Sequence, residues 1–409
     1  MPETKVFVFC WNCESVATCK AEDKCLESNI CSYCIKKKCY IPTFAKHVVE
    51  YVYNNKIDIV HIATQEDPYP GGNMHSSYLK KLFFDKDYVL LDNARHKFIG
   101  VGRTTITKRV ARGLRSSVYI RSEYLKDKTI VASNKTHNCG GMKRNKGGIG
   151  INLNIDGTNL LFANCHLPFN SESLISHKGR RDKFVKKQTD CLNAIYTTLH
   201  NKFNESGIIL CGDLNYRINL TMFDKASTIN SLITKSPDIS KLKELYNRDE
   251  LKKELDKATT SPDRGVLPKY EEGIDNQGPS TFYPTCKLYK QKYSDFIHST
   301  TKNGNVKCNQ KPLSKDNIQK KSKKAVGIRT NCQANSPRVG SIPQIKDKTC
   351  YKLGKDDQRA PSWCDRILHY TPLGSPLRIR CMDYNSYDFS QIMAMSDHAA
   401  VYGYYTVNI

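Results

Sequence analysis

No run of apolar residues in this chain approaches the length a bilayer span requires. The opening residues do not read as a secretory leader: Met1-Pro2-Glu3-Thr4-Lys5 is polar, and the short apolar stretch after it alternates like a strand. The closing residues Thr406-Val407-Asn408-Ile409 hold no cysteine for prenylation. Together these absences predict a cytoplasmic chain, in contact with membranes only at its periphery, with its 17 cysteines mostly reduced. There is no Gly-rich dinucleotide fingerprint and no internal repeat. A thiol-phosphatase loop is also lacking, because Cys139 and Arg144 are one residue too close for it. Acidic charge is scarce: 40 Asp+Glu face 64 Lys+Arg, leaving +24. Such a balance favours nucleic acid, an anionic membrane or a polyphosphate substrate, without choosing among them.

What is present is an alternation of strand-like and helix-like segments. Lys5–Phe9, Ile57–Ile62, Gly148–Ile155, Leu160–Ala163, Ile208–Leu210, Ile367-Leu368 and Ala400–Val407 read as strands. Thr43–Tyr53, Arg180–Phe203 and Lys241–Leu255 carry helical stripes. This pattern predicts an α/β fold with packed sheets and outer helices.

Polar and ionisable residues gather where the strands end, the position in which loops carry chemistry on a rigid sheet. Trp11-Asn12, Gln65-Glu66, Asn164-Cys165-His166 and Gly212-Asp213-Leu214-Asn215 each follow an apolar run. Asp365-Arg366 precedes one, and so does Ser396-Asp397-His398. Taken singly, each is equally well a turn or a half-buried polar residue. A carboxylate such as Asp213 can orient or deprotonate water, and Asn215 two residues on can bond a phosphoryl oxygen. One carboxylate and one amide, Glu66 and Asn12, suit Mg²⁺, which keeps much of its hydration.

Arg359-x-Pro361-x-Trp363-x-Asp365-Arg366 is the longest and chemically oddest of these pieces. With Gly212-Asp213-Leu214-Asn215-Tyr216-Arg217 it resembles the two signature motifs of the inositol polyphosphate 5-phosphatases. Asn145-Lys146-Gly147-Gly148, Arg180-Arg181 and Pro284-Thr285-Cys286-Lys287 fall in that family's order, and the resemblance runs from about Lys5 to Tyr405. It implies the DNase-I-like fold of the endonuclease/exonuclease/phosphatase superfamily: two packed mixed β-sheets flanked by helices in a four-layer sandwich. One catalytic domain over residues 1–409 is then expected. By the same resemblance Glu66 is the main Mg²⁺ ligand, with Asn12 near it and Asp397 on the metal side. Asp213 orients or activates the attacking water, and Asn215 binds the scissile phosphate. His166 and His398 contact that phosphate, and Asp365 pairs with His398. Lys287, Arg366 and Lys146 are implied as holders of a neighbouring phosphate. The implied reaction is Mg²⁺-dependent hydrolysis of the 5-phosphate of phosphoinositides or soluble inositol polyphosphates by direct water attack. The alternative is a nuclease of the same superfamily; with the phosphatase reading no nucleic-acid partner is expected. The chain departs from the family at Cys286, where tyrosine is common.

Three segments remain. Thr301–Cys350 holds ten Lys and two Arg against two Asp, a net +10, and reads as a basic flexible insertion. Arg95–Arg121 has eight Lys+Arg and no acid, which fits either alternating strands with a basic face or a surface for anionic headgroups. Cys13–Cys39 is a cysteine-rich insertion. Its Cys31-Ser32-Tyr33-Cys34 knuckle, with two of Cys19, Cys25 and Cys39, forms either a structural Zn²⁺ site or a set of unliganded thiols.

Overall fold

A computed structural model describes residues 3–13, 43–69, 77–98, 111–139, 146–169, 178–219, 239–256, 270–282, 284–286, 362–387 and 396–409. The zinc knuckle, the basic insertion 301–350 and Lys287 lie outside the described residues.

The described chain forms twelve strands: β1 (Thr4–Asn12), β2 (Ile59–Tyr69), β3 (Tyr88–Phe98), β4 (Ala111–Arg121), β5 (Ile130–Asn138), β6 (Gly147–Ile155), β7 (Thr158–His166), β8 (Gly207–Asp213), β9 (Glu271–Glu272), β10 (Asp365–Tyr370), β11 (Arg378–Tyr387) and β12 (Ala400–Asn408). They build two six-stranded sheets, ordered β11-β12-β1-β2-β4-β3 and β5-β6-β7-β8-β10-β9. Each sheet contains one parallel pair, β1 with β2 and β7 with β8, among antiparallel neighbours. Both sheets are therefore mixed.

β1 shows why the sheets stack. Side chains alternate across a strand. Val6, Val8 and Cys10 enter a core shared with Ile149, Ile151, Leu153, Phe162 and Ile367 of the other sheet. Phe7, Phe9 and Trp11 face the opposite way, under α1 (Thr43–Asn54) and α2 (Ser77–Phe84). A strand apolar on both faces must lie inside a layered sandwich. On the far side, Leu161, Ala163, Ile208 and Leu210 pack under Leu192, Ile195 and Leu199 of α3 (Lys178–Phe203). The order of layers is thus helix, sheet, sheet, helix, as the DNase-I-like expectation requires.

The stripe expected as one helix over Lys241–Leu255 is two: α4 (Ile239–Tyr246) and α5 (Glu250–Asp256). Leu242 and Leu245 join the core between the sheets, whereas Leu251 and Leu255 join the outer core under α3. One straight helix cannot serve both. The break falls at Asp249, whose carboxylate accepts the Lys252 amide at 3.1 Å and a guanidinium from β10.

Not all the described thiols are free. Cys139, at the end of β5, forms a disulfide with Cys191 of α3, with Cα atoms 5.4 Å apart. Cys10, Cys165, Cys211, Cys286, Cys364 and Cys381 are free of disulfides and buried. On the basic Arg95–Arg121 stretch, residues 99–110 lie outside the described residues. Arg115 faces Asp67 at 3.6 Å, and Arg121 engages Asp58 and Glu123, so part of that basic charge is neutralised locally.

Candidate active site

The strand register brings the chemistry to one end of the sandwich. β7 and β8 run in parallel and end together, His166 beside Asp213. β10 begins opposite, with Asp365 aligned to Asp213. Lys146 precedes β6, whose first residue Gly147 pairs with His166. From the other sheet, β1 ends at Asn12 beside Gln65 of β2. β8 closes tightly on β7 at Gly212, where an added Cβ would lie 2.0 Å from the Cys165 carbonyl oxygen. Glycine is required for that approach.

Asp213 is the hub. Its Oδ2 accepts Asn12 Nδ2 at 2.9 Å and lies 3.2 Å from His166 Nε2, while Oδ1 accepts the Asn215 amide at 3.2 Å. Asn12 and Asp213 come from different sheets, so this contact spans the sandwich. Burial alone would raise the Asp213 pKa, but the charges and hydrogen bonds of His398, His166 and Lys146 hold it far below the usual carboxylate range. Lys146 Nζ touches His166 Nε2. Burial brings Lys146 down to about 8, against the pull of Asp213 and Glu66. Burial first, and then Lys146, keep His166 below its ordinary value, against the pull of Asp213 and Glu66.

His398 is the opposite case. Its Nδ1 lies 2.8 Å from Asp365 Oδ2, and Thr285 Oγ1 donates to the same oxygen at 2.8 Å. Burial works against the charged ring, but Asp365, Cys286 and Asp213 outweigh it and hold His398 as an imidazolium. Its backbone is tied to β1: Trp11 Nε1 donates to the His398 carbonyl at 3.3 Å, and Ser396 Oγ donates to the Asn12 carbonyl at 2.7 Å. Asp397 is buried beside it, with Oδ1 3.7 Å from His398 Nε2. Asp213, Asp365 and His398 each place one donor atom within 4.8 Å of the others.

Glu66 sits at an irregularity. The pairing of β2 with β4 shifts register between Thr64 and Asp67, and Glu66 takes φ 50°. A bulge of this kind re-aims a side chain, and a positive φ in glutamate costs conformational energy. The next residue, Asp67, is anchored by Thr64 Oγ1 at 2.8 Å. Glu66 is half-exposed and lies within electrostatic reach of Lys146 and His166.

Asn215 also has positive φ, at 60°, a conformation asparagine tolerates. Its Nδ2 donates to the Leu167 carbonyl at 3.1 Å, and its own carbonyl accepts Gln188 Nε2 from α3 at 2.8 Å.

The expectation for Arg366 is corrected. Its side chain is fully buried on the far side of β10, bonded through Nε and Nη2 to both Glu272 oxygens and through Nη1 to Asp249 at 3.0 Å. Successive residues of a strand face opposite ways. Asp365 turned to His398 therefore leaves Arg366 turned away, with no donor directed at a phosphate among the catalytic groups. Lys146 does reach them.

Sequence reasoning gave no role to four residues the site uses. Thr285 steadies Asp365, and Gln188 holds Asn215. Arg217 and Cys286 bond to each other at 3.4 Å. The first and last two stood inside quoted motifs without a role; Gln188, in a helix, carried no signal.

A profile described as Endonuclease/Exonuclease/phosphatase family 2 matches residues 9–336. No curated protein sequence matches the chain. Among solved structures, the inositol polyphosphate 5-phosphatase domain of SPsynaptojanin, in complex with inositol (1,4)-bisphosphate and calcium, is 19% identical. The match has TM-score 0.52 and covers 100% of this chain and 86% of that one. Cimex nitrophorin in its ferrous NO complex is 14% identical, with TM-score 0.53 over 100% of both chains. At such identities these neighbours establish the fold, which hosts more than one chemistry. The family match, over most of the sequence, goes further: the chain belongs to the endonuclease/exonuclease/phosphatase family.

Proposed function

We propose that this phosphoesterase fold hydrolyses the 5-phosphate of phosphoinositides or soluble inositol polyphosphates. The observation that carries the reading is the convergence of three buried side chains, Asp213, Asp365 and His398, whose donor atoms all lie within 4.8 Å of one another. Asp213, fixed by Asn12 and His166, orients a water for in-line attack. His398, braced by Asp365, carries positive charge toward the phosphoryl oxygens on which negative charge grows. Asn215 adds an amide donor, and Lys146 a cation for the same phosphate or its neighbour. The oxygen donors Glu66, Asn12 and Asp397 fit a hard cation. Bound there, Mg²⁺ would neutralise phosphoryl charge and polarise the bond under attack.

The burial of Arg366 withdraws one of the cations on which the choice of an inositol phosphate rested. The +24 balance keeps the nuclease alternative worth testing, and draws the chain toward anionic membranes. One assay separates these readings: phosphate release with Mg²⁺ from inositol phosphates, phosphoinositide vesicles and DNA, with a chelated control. The expected result is release from 5-phosphorylated inositides, lost in Asp213→Ala and on chelation. Cleavage of DNA alone overturns the reading.

A further inference from the structure

Arg217 is a buried cation of an unusual kind. Its side chain is 4% exposed, yet it makes no ion pair with a carboxylate among the described residues. Arg366, equally buried, has two. Arg217 instead donates through Nη2 to Asn215 Oδ1 at 2.9 Å and through Nη1 to Cys286 Sγ at 3.4 Å. Its guanidinium carbon lies over the Phe169 ring, 4.5 Å from the centroid. Nε is buried without an acceptor. Isolated buried guanidinium is costly, so a thiol standing where a carboxylate would ordinarily stand needs a reason.

We propose that Arg217, held by the Cys286 sulfur and the Phe169 ring, is a positioning residue that fixes which end of the Asn215 amide faces the phosphate. The inference rests on the proposed phosphoesterase reading for the phosphate, and on geometry for the rest. The two ends of an asparagine side chain are nearly the same shape, and only hydrogen bonding decides which is where. A donor on Oδ1 and an acceptor on Nδ2 remove the choice. Arg217 supplies the first and the Leu167 carbonyl the second. The second N–H of Nδ2 is then committed as a donor, the polarity an anionic phosphoryl oxygen demands. The flipped amide would present its carbonyl and repel that oxygen.

Cys286 is placed to hold the far end of this lever. It bridges Ser362 on one side and His398 on the other. Burial raises its pKa, but Cys364, His398 and Arg217 together push it well below the ordinary thiol value. The sulfur accepts the N–H of Nη1 at 3.4 Å. A carboxylate in its place would grip the fork through two oxygens and compete with Asn215 for it. A single large sulfur takes one N–H and leaves Nη2 to Asn215.

The test uses the full chain, Mg²⁺ and inositol 1,4,5-trisphosphate, with Arg217→Lys and Cys286→Ser. Lysine keeps the charge and loses the fork. For Arg217→Lys, kcat is expected to fall on the order of tenfold to a hundredfold, the scale of a misplaced catalytic contact, with KM little changed. Cys286→Ser, which removes no buried cation, is expected to show a smaller loss with the same split. Wild-type kcat in both variants overturns the proposal, as does a loss that appears only as raised KM with a matching drop in Tm. The side-chain amide resonances of Asn215 are read in parallel by NMR. They are expected to shift in Arg217→Lys, and unmoved resonances overturn the proposal whether or not the wild type hydrolyses the substrate. A wild type silent on every inositol phosphate would overturn the phosphatase reading instead.

Discussion

Two adjacent residues, Asp365 and Arg366, looked alike in the sequence as candidates for phosphate chemistry. The strand separates them: one braces His398, the other joins Glu272 and Asp249 in a buried ionic cluster. Breaking such a cluster leaves uncompensated charge, at about 3–5 kcal/mol. Arg366→Met is therefore expected to lower the urea midpoint sharply while KM in the surviving folded fraction stays near wild type. A selective rise in KM with unchanged stability would return Arg366 to the substrate. His61 offers a second residue-scale test. It is fully buried beside Phe162, and burial lowers its pKa to about 3. The unfolded chain takes up that proton near pH 6.5 and the folded chain does not, so acid favours unfolding. Stability present above pH 6.5 should fall toward pH 3, by ~1.4 kcal/mol per unit from this residue. In His61→Leu, denaturation curves across that window should lose that slope; an unchanged slope would contradict the assignment.

At the scale of elements, strands with both faces buried were the easiest to read. β1, β6, β7, β8 and β12 are such strands and were all expected. β11 was not, because its run Arg378-Ile379-Arg380-Cys381-Met382-Asp383 lies at a sheet edge and mixes polarity. The site was legible for a related reason: strand ends recur as polar residues after apolar runs. The bulge that gives Glu66 its φ of 50° was not legible, because a register shift is a property of the pair β2–β4. The split of α4 from α5 was missed because both leucine sets fit one helical stripe until the two cores are known. The Cys139–Cys191 bond has the same long-range character. It spans 52 residues, from the segment before Lys146 to α3. Closing a loop of this size stabilises by about 4 kcal/mol in the chain-entropy account. Cys191→Ser should lower Tm by several degrees, and reductant should lower the wild type toward it but leave the variant unmoved. A reductant-insensitive wild type would mean these thiols are apart in solution.

For the whole molecule, the decisive property is that the site belongs to neither sheet. Asn12 reaches Asp213 from across the sandwich, His398 beside β12 meets Asp365 of β10 at 2.8 Å, and Gln65 Nε2 donates to Asn164 Oδ1 at 2.7 Å. Separating the sheets would take these groups apart before either sheet lost its own hydrogen bonds.

The order of strands in space differs from their order in the chain, and this has a practical outcome. β10 lies between β8 and β9, and β12 between β11 and β1, so two of the last three strands are interior pieces of sheets begun long before. Asn12, His166, Asp213 and Thr285 come from the first portion of the sequence, and Asp365 and His398 from the last. The protein is thus a natural candidate for a split reporter. Polypeptides 1–286 and 287–409, each inert alone, should regain hydrolysis when co-expressed, with β1–β12 and β8–β10 pairing as the seam. Phosphate release from the pair, against silence from either half, is the measurement; a silent pair would mean that continuity of the chain is needed to form the seam.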